Sequence, residues 1–225
     1  MEIRLHPKSL AMFLAAVTMA LGVLNLLSCI PVFMGTGYPF GSFNFDYENN
    51  IPTLFSTLLL CFCATLAFFI ARSKKSERLL FLQWLGIAAA FLFLGIDEST
   101  SLHERLTEPV RNAVGTGAIF YYAWVIPYAV LLAVFVAIYL RFFFRLPPET
   151  RKWVAIGAVL YVGGGIGLEL PGGAWYELHG KDAVFYLLAT FEELLEMTGC
   201  ILFIYAFSSY IDRHIPDFKI RITSL

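Results

Sequence analysis

Apolar residues along this chain fall into six long runs, approximately 9–33, 53–70, 79–96, 118–140, 153–170 and 183–205, separated by segments rich in glycine, proline and charge. Each run approaches the roughly 20 residues that cross a hydrocarbon core about 30 Å thick, and none shows the ten-residue alternating pattern of a transmembrane barrel strand. Backbone in contact with lipid has to satisfy its own hydrogen bonds, so runs of this length predict helices. The expected fold is all-α: a six-helix transmembrane bundle forming a single integral membrane domain over 1–225. Composition agrees, with 59% hydrophobic and 15% charged residues in a chain of 225 and a mean hydropathy of +0.72, outside the range of soluble domains.

The first run follows Arg4 and Lys8, as a secretory signal would, and Leu26-Leu27-Ser28-Cys29 faintly matches a lipoprotein cleavage site. Its apolar stretch is about twice the length of a signal core, so a retained span is expected. Cys29, Cys61, Cys63 and Cys200 all lie inside apolar runs and form no CxxC or disulfide framework.

Basic residues sort by loop. Arg4, Lys8, Arg72, Lys74, Lys75, Arg78, Arg141, Arg145, Arg151, Lys152, Arg213, Lys219 and Arg221 fall on one side, against Arg105, Arg111 and Lys181 on the other. With loops this short, the asymmetry predicts that both termini are cytoplasmic. Tyr121, Tyr122, Trp124, Trp175 and Tyr176 then fall at the outer interface, where they read as belt aromatics.

Acidic residues run the other way, with 12 on the outer half facing three Lys or Arg plus His103 and His179. In the sixth helix, Glu192, Glu196 and Glu193 project at about 0°, 40° and 100° around the axis, so the three carboxyls share one face. A helix entering the hydrocarbon near Leu187 puts Glu192 roughly 8 Å and Glu196 roughly 14 Å deep. Each would cost about 2.5–3.5 kcal/mol if charged and facing lipid. The third helix ends in Asp97-Glu98-Ser99-Thr100-Ser101-Leu102-His103-Glu104-Arg105, whose acids share a face that His103 joins only if the helix unwinds. The fifth carries Glu169 after the glycine run 163–167; those glycines permit close helix approach, and Pro171 is expected to break the ladder, leaving Trp175 to His179 as an outer loop.

Three helices thus bring carboxyl groups to one level, and their charge has to be balanced by protons, by Arg105 folding inward, or by a bound cation. A divalent metal site near the outer face, holding Zn, Mn or Fe and able to act on a lipid-like substrate, is the leading expectation. Its first candidates are Glu98, Glu192, Glu193 and Glu196, followed by Glu169, His103, Asp97 and His179. The Glu-x-x-His pairs of ferritin-like di-iron bundles and the His-x-x-x-His element of ceramidase-like membrane hydrolases are both missing. Three alternatives stay open: a proton- or cation-coupled transporter or channel, an accessory subunit of a membrane complex, and a purely structural network of protonated carboxyls. Expected partners are the lipid bilayer and either another membrane protein or a second copy of this chain. The basic residues read as topology signals and give no nucleic-acid surface.

Phe93-Leu94-Gly95-Ile96-Asp97-Glu98 with His103-Glu104, followed by Phe191-Glu192-Glu193-Leu194-Leu195-Glu196-Met197-Thr198-Gly199, resembles a pattern found in uncharacterised bacterial multi-pass membrane proteins. The resemblance covers the third and sixth helices. It implies a recurring architecture in a bacterial plasma membrane and brings no activity with it.

Overall fold

The computed structural model describes residues 6–115 and 117–215; Arg4, Lys219 and Arg221 of the basic set lie outside them. Among the described residues the chain is helical, with no β-strand. The elements in order are α1 (Pro7–Ser28), the single turn α2 (Ile30–Phe33), α3 (Ile51–Ser73), α4 (Arg78–Thr100), α5 (Glu104–Val114), α6 (Val125–Arg145), α7 (Pro148–Val162), a π-helical segment (Gly163–Leu168), α8 (Glu169–His179) and α9 (Ala183–His214). Because α7, the π segment and α8 run on without a break, six helices are long and apolar enough to cross a membrane.

The helices outrun several of the apolar runs, α9 furthest, ending at His214 rather than 205, and two further boundaries differ in kind. The fourth span begins at Val125 rather than near 118, because residues 118–124 form a 3-10 turn and bends. The fifth continues through Pro171 to His179, so Trp175 to His179 is the end of a helix and not a loop. Proline lacks the N–H that would bond the carbonyl four residues back. Here the ladder departs from α geometry upstream, in the wider turns of Gly163–Leu168, and the chain stays helical.

The 32-residue α9 is the central post, packed against α1, α3, α7 and the π segment. Between apolar helices in lipid the gain comes from close approach, and small residues provide it. A Cβ on Gly199 would lie 2.8 Å from the Gly157 carbonyl oxygen and 2.8 Å from the Tyr161 nitrogen, so α7 and α9 touch backbone to backbone. Lower in the bundle, Trp84 of α4 packs edge-on against Phe142 of α6 and Phe207 of α9, with centroids 5.4 and 5.5 Å away. By contrast, α6 is the loosest wall, with only Val125 and Phe142 buried along its 21 residues.

The long connection between α2 and α3 is tied to the bundle by buried asparagines. Asn25 of α1 donates from Nδ2 to Thr190 Oγ1 of α9 at 2.7 Å and accepts from the Phe45 N–H at 2.9 Å. Asn44, fully buried, donates to Cys29 Sγ at 3.3 Å and accepts from the Asp46 N–H at 3.0 Å. Asn25→Ala leaves the buried Phe45 amide unpaired, and we expect it to lower stability by about 2–3 kcal/mol. Thermal unfolding in a neutral detergent reads this directly, and an unchanged midpoint would refute it.

Candidate functional site

Most of the acids lie in or near the connections at one end of the bundle and most of the bases at the other, since the six spans alternate in direction. At the acidic end a cavity of about 890 Å³ opens between α4, α6, α8 and α9. Of the eight residues singled out in the sequence, Glu98, Glu169, Glu192, Glu193, Glu196, Asp97 and His103 line it. His179 does not: its ring stacks on Trp175 at 4.1 Å, beside the corner where Asp182 caps α9 by accepting from the Phe185 N–H at 3.0 Å. That cap, with a second bond from the Trp175 indole, outweighs desolvation and holds the Asp182 carboxyl below the ordinary carboxylate range.

The glycine run seats the deepest carboxyl. A Cβ on Gly165 would fall 2.6 Å from Glu196 Oε1, and one on Gly164 would fall 2.7 Å from the Glu192 carbonyl oxygen. Thus the π segment, which presents bare backbone to α9, makes room for Glu196. Around it Glu98, Glu169, Glu192 and Glu193 line the same cavity. Among the described residues none of these five forms an ion pair with Lys or Arg. Arg105 is exposed on α5 and does not fold inward, and Arg111 bonds the Tyr121 carbonyl and lies 4.2 Å over that ring. Lys181 is spent on Asp46, at 2.5 Å.

At the mouth, α4 stops at Thr100 and Ser101 takes a left-handed conformation, φ 49° and ψ 43°. The resulting turn swings His103 back over the helix end, which is the unwinding its participation requires. Asp97 fixes it there by accepting from the His103 backbone N–H at 2.8 Å and pairing with Nδ1 at 3.2 Å. The ring lies 4.7 Å from that of Trp124, whose indole donates to Glu169 Oε1 at 2.9 Å. Trp124, read from sequence as a belt aromatic, is therefore a buried part of the site.

With Nδ1 paired to Asp97, Nε2 is the ring nitrogen of His103 that a ligand would use. Glu48, from the asparagine-tied loop, and Glu104, the first residue of α5, join it: ligand atoms of Glu48, His103 and Glu104 all lie within 4.8 Å of one another. This Glu-His-Glu group is one that could hold a metal ion. Among the described residues the intramembrane carboxyls do not gather as closely. Burial works against protonation of His103, but the bond and charge of Asp97 outweigh it and raise its pKa above the ordinary histidine value. Glu48 and Glu104 are exposed at this mouth; partial desolvation and the neighbouring Glu104 raise Glu48. Asp46 is raised by burial, with Lys181 opposing.

Residues 10–211 match the family model described as a domain of unknown function, DUF8692. The chain belongs to that family. No curated protein and no solved structure matches it. In this DUF8692 member the matched span includes Glu48, the acidic cavity and all six spanning helices except the first three residues of α1 and the last three of α9. In the sequence Glu48 and Glu104 are two of the 12 outer acids and are not among the eight candidate ligands. The only local signal for Glu48 was its place in an asparagine-rich loop, since Asn44, Asn49 and Asn50 surround it.

Proposed function

We propose that this protein binds a divalent cation through Glu48, His103 and Glu104, and presents it to a lipid-like substrate inside a membrane-embedded cavity. The observation that carries the reading is the His103–Asp97 pair, at 3.2 Å. A carboxylate on the far ring nitrogen is the usual device for aiming the other nitrogen at a metal. Two carboxylates and an imidazole suit Zn, Mn or Fe. Three protein ligands leave at least one position of a tetrahedral ion open, the arrangement of catalytic rather than structural sites. The ion also offsets part of the negative charge at the mouth. Hydrolysis of an ester, amide or phosphoester is the reaction class such a site serves.

The site faces the exoplasmic side of a bacterial plasma membrane with both termini cytoplasmic, a reading supported by the charge asymmetry of the loops. Ser76→Cys, between α3 and α4, is expected to react with a membrane-impermeant thiol reagent in inverted vesicles and not in intact cells. The reverse pattern would turn the orientation over.

Elemental analysis tests the ion site. After loading with zinc or manganese and dialysis, the wild type is expected to retain near one ion per chain, and Glu48→Gln and Glu104→Gln to retain much less. No retained ion in the wild type would overturn the proposal. Binding requires the free base of His103 and ionised Glu48. Because both hold their protons to higher pH than ordinary groups of their kind, affinity is expected to climb with pH through and above 6.5, the ordinary histidine value. Zinc titrations at a series of pH values read the slope, and a flat profile across that range would contradict it.

A further inference from the structure

The cavity does not end at the carboxyl groups. Below Glu98 and Glu196 its wall becomes apolar and continues toward the basic end, where Phe203 and Phe207 of α9, Phe91 of α4 and Phe135, Tyr139 and Phe142 of α6 line it. From Glu196 to Phe207 the wall of α9 extends about 16 Å, roughly half the hydrocarbon thickness. A continuous space of about 890 Å³ that is acidic at one end and aromatic at the other has the volume of a small-molecule site and the polarity pattern of an amphiphile. Its loosest wall is α6, whose Val130, Val134 and Ile138 are 51–68% exposed along the side that meets lipid, so the chamber borders the bilayer across a thinly packed helix.

We infer that this cavity binds a single-chain amphiphile with a small cationic amine head, the amine among Glu98, Glu192, Glu193 and Glu196 and the alkyl chain in the aromatic chamber beneath them. Charge complementarity selects the head. Five glutamates of the spans, Glu98, Glu169, Glu192, Glu193 and Glu196, line the cavity without a Lys or Arg partner among the described residues, and a divalent ion at the mouth does not contact the deepest of them. Depth selects its size: a head drawn below the interface loses its water, and a compact ammonium regains three charge-assisted hydrogen bonds from carboxylates. A fatty acid of equal length would bring a second anion to the same place. The inference shares its cavity with the cation site but does not require the ion.

The test compares hexadecylamine, hexadecanoic acid and butylamine as ligands of the protein in a neutral maltoside detergent, read by thermal shift and equilibrium dialysis, with metal content measured on the same samples. Hexadecylamine is expected to bind about tenfold or more tighter than hexadecanoic acid, and butylamine, lacking the chain, to give no shift. Glu193→Gln is expected to weaken the amine alone. Ala158→Trp, which fills the chamber from α7, is expected to abolish binding of the long amine with metal retention intact; Ala90→Trp does the same from α4 should the first variant fail to fold. Equal binding of acid and amine, or undiminished amine binding with the chamber filled, overturns the inference. Loss of metal in Glu48→Gln with amine binding preserved leaves it standing, whereas a wild type that holds amine but no metal refutes only the cation site.

Discussion

His103→Ala is expected to cut zinc affinity by more than about 100-fold, beyond the 10- to 100-fold typical of losing an outer-shell partner, while leaving the helical content unchanged. The imidazole is the one nitrogen donor of the proposed group, and its ring packs on Trp124 and Tyr128, with centroids 4.7 and 6.3 Å away. Asp97 keeps its bond from the backbone N–H of residue 103 at 2.8 Å in the variant, so the turn after α4 retains its anchor. Asp97→Asn provides the graded comparison: the ring stays but its orientation loosens, and the loss should fall inside the 10- to 100-fold range. Competitive titration against a chromophoric chelator measures both. Equal affinity in wild type and His103→Ala would remove the imidazole from the site.

Gly199→Val is expected to cause the largest loss of stability among single changes in the spans, about 3 kcal/mol or more. Its Cβ would stand 2.8 Å from the backbone nitrogen of Tyr161 and 2.8 Å from the carbonyl oxygen of Gly157, atoms that no rotamer change can move aside. α7 would have to withdraw from α9 along the line that also carries Gly164 and Gly165, so the seat of Glu196 would shift with it. Gly172→Ala is the matched control, because nothing lies within 4 Å of a Cβ there. It should be neutral or slightly stabilising, as alanine is the better helix former. Thermal unfolding of the two variants side by side gives the answer, and similar midpoints would contradict the close-packing account.

The spanning helices were legible because lipid imposes a length and a polarity on each of them, and the facing of Glu192, Glu193 and Glu196 followed from helical periodicity alone. The fate of the fifth span was not legible. A proline inside an apolar run reads as a break, and only the register of neighbouring turns reveals that the glycine run departs from α geometry first and lets the helix continue past Pro171. His103 was conditional in the sequence because its direction depends on one backbone torsion, the left-handed turn at Ser101, that a non-glycine residue rarely signals. Glu48 was hidden for a different reason. Its loop is held by long-range bonds to Asn25, 20 residues away from the Phe45 amide that it accepts, and no local periodicity reports such a tie. Trp124 was misread because aromatic residues at a helix start resemble interface anchors whether or not their indole finds a buried acceptor.

X-ray absorption at the zinc edge of the loaded protein tests the cation site most directly. A first shell of nitrogen and oxygen at about 2.0–2.2 Å, with imidazole scattering that disappears in His103→Ala, is the predicted result. A spectrum showing sulfur ligation, or one identical in wild type and His103→Ala, would contradict it.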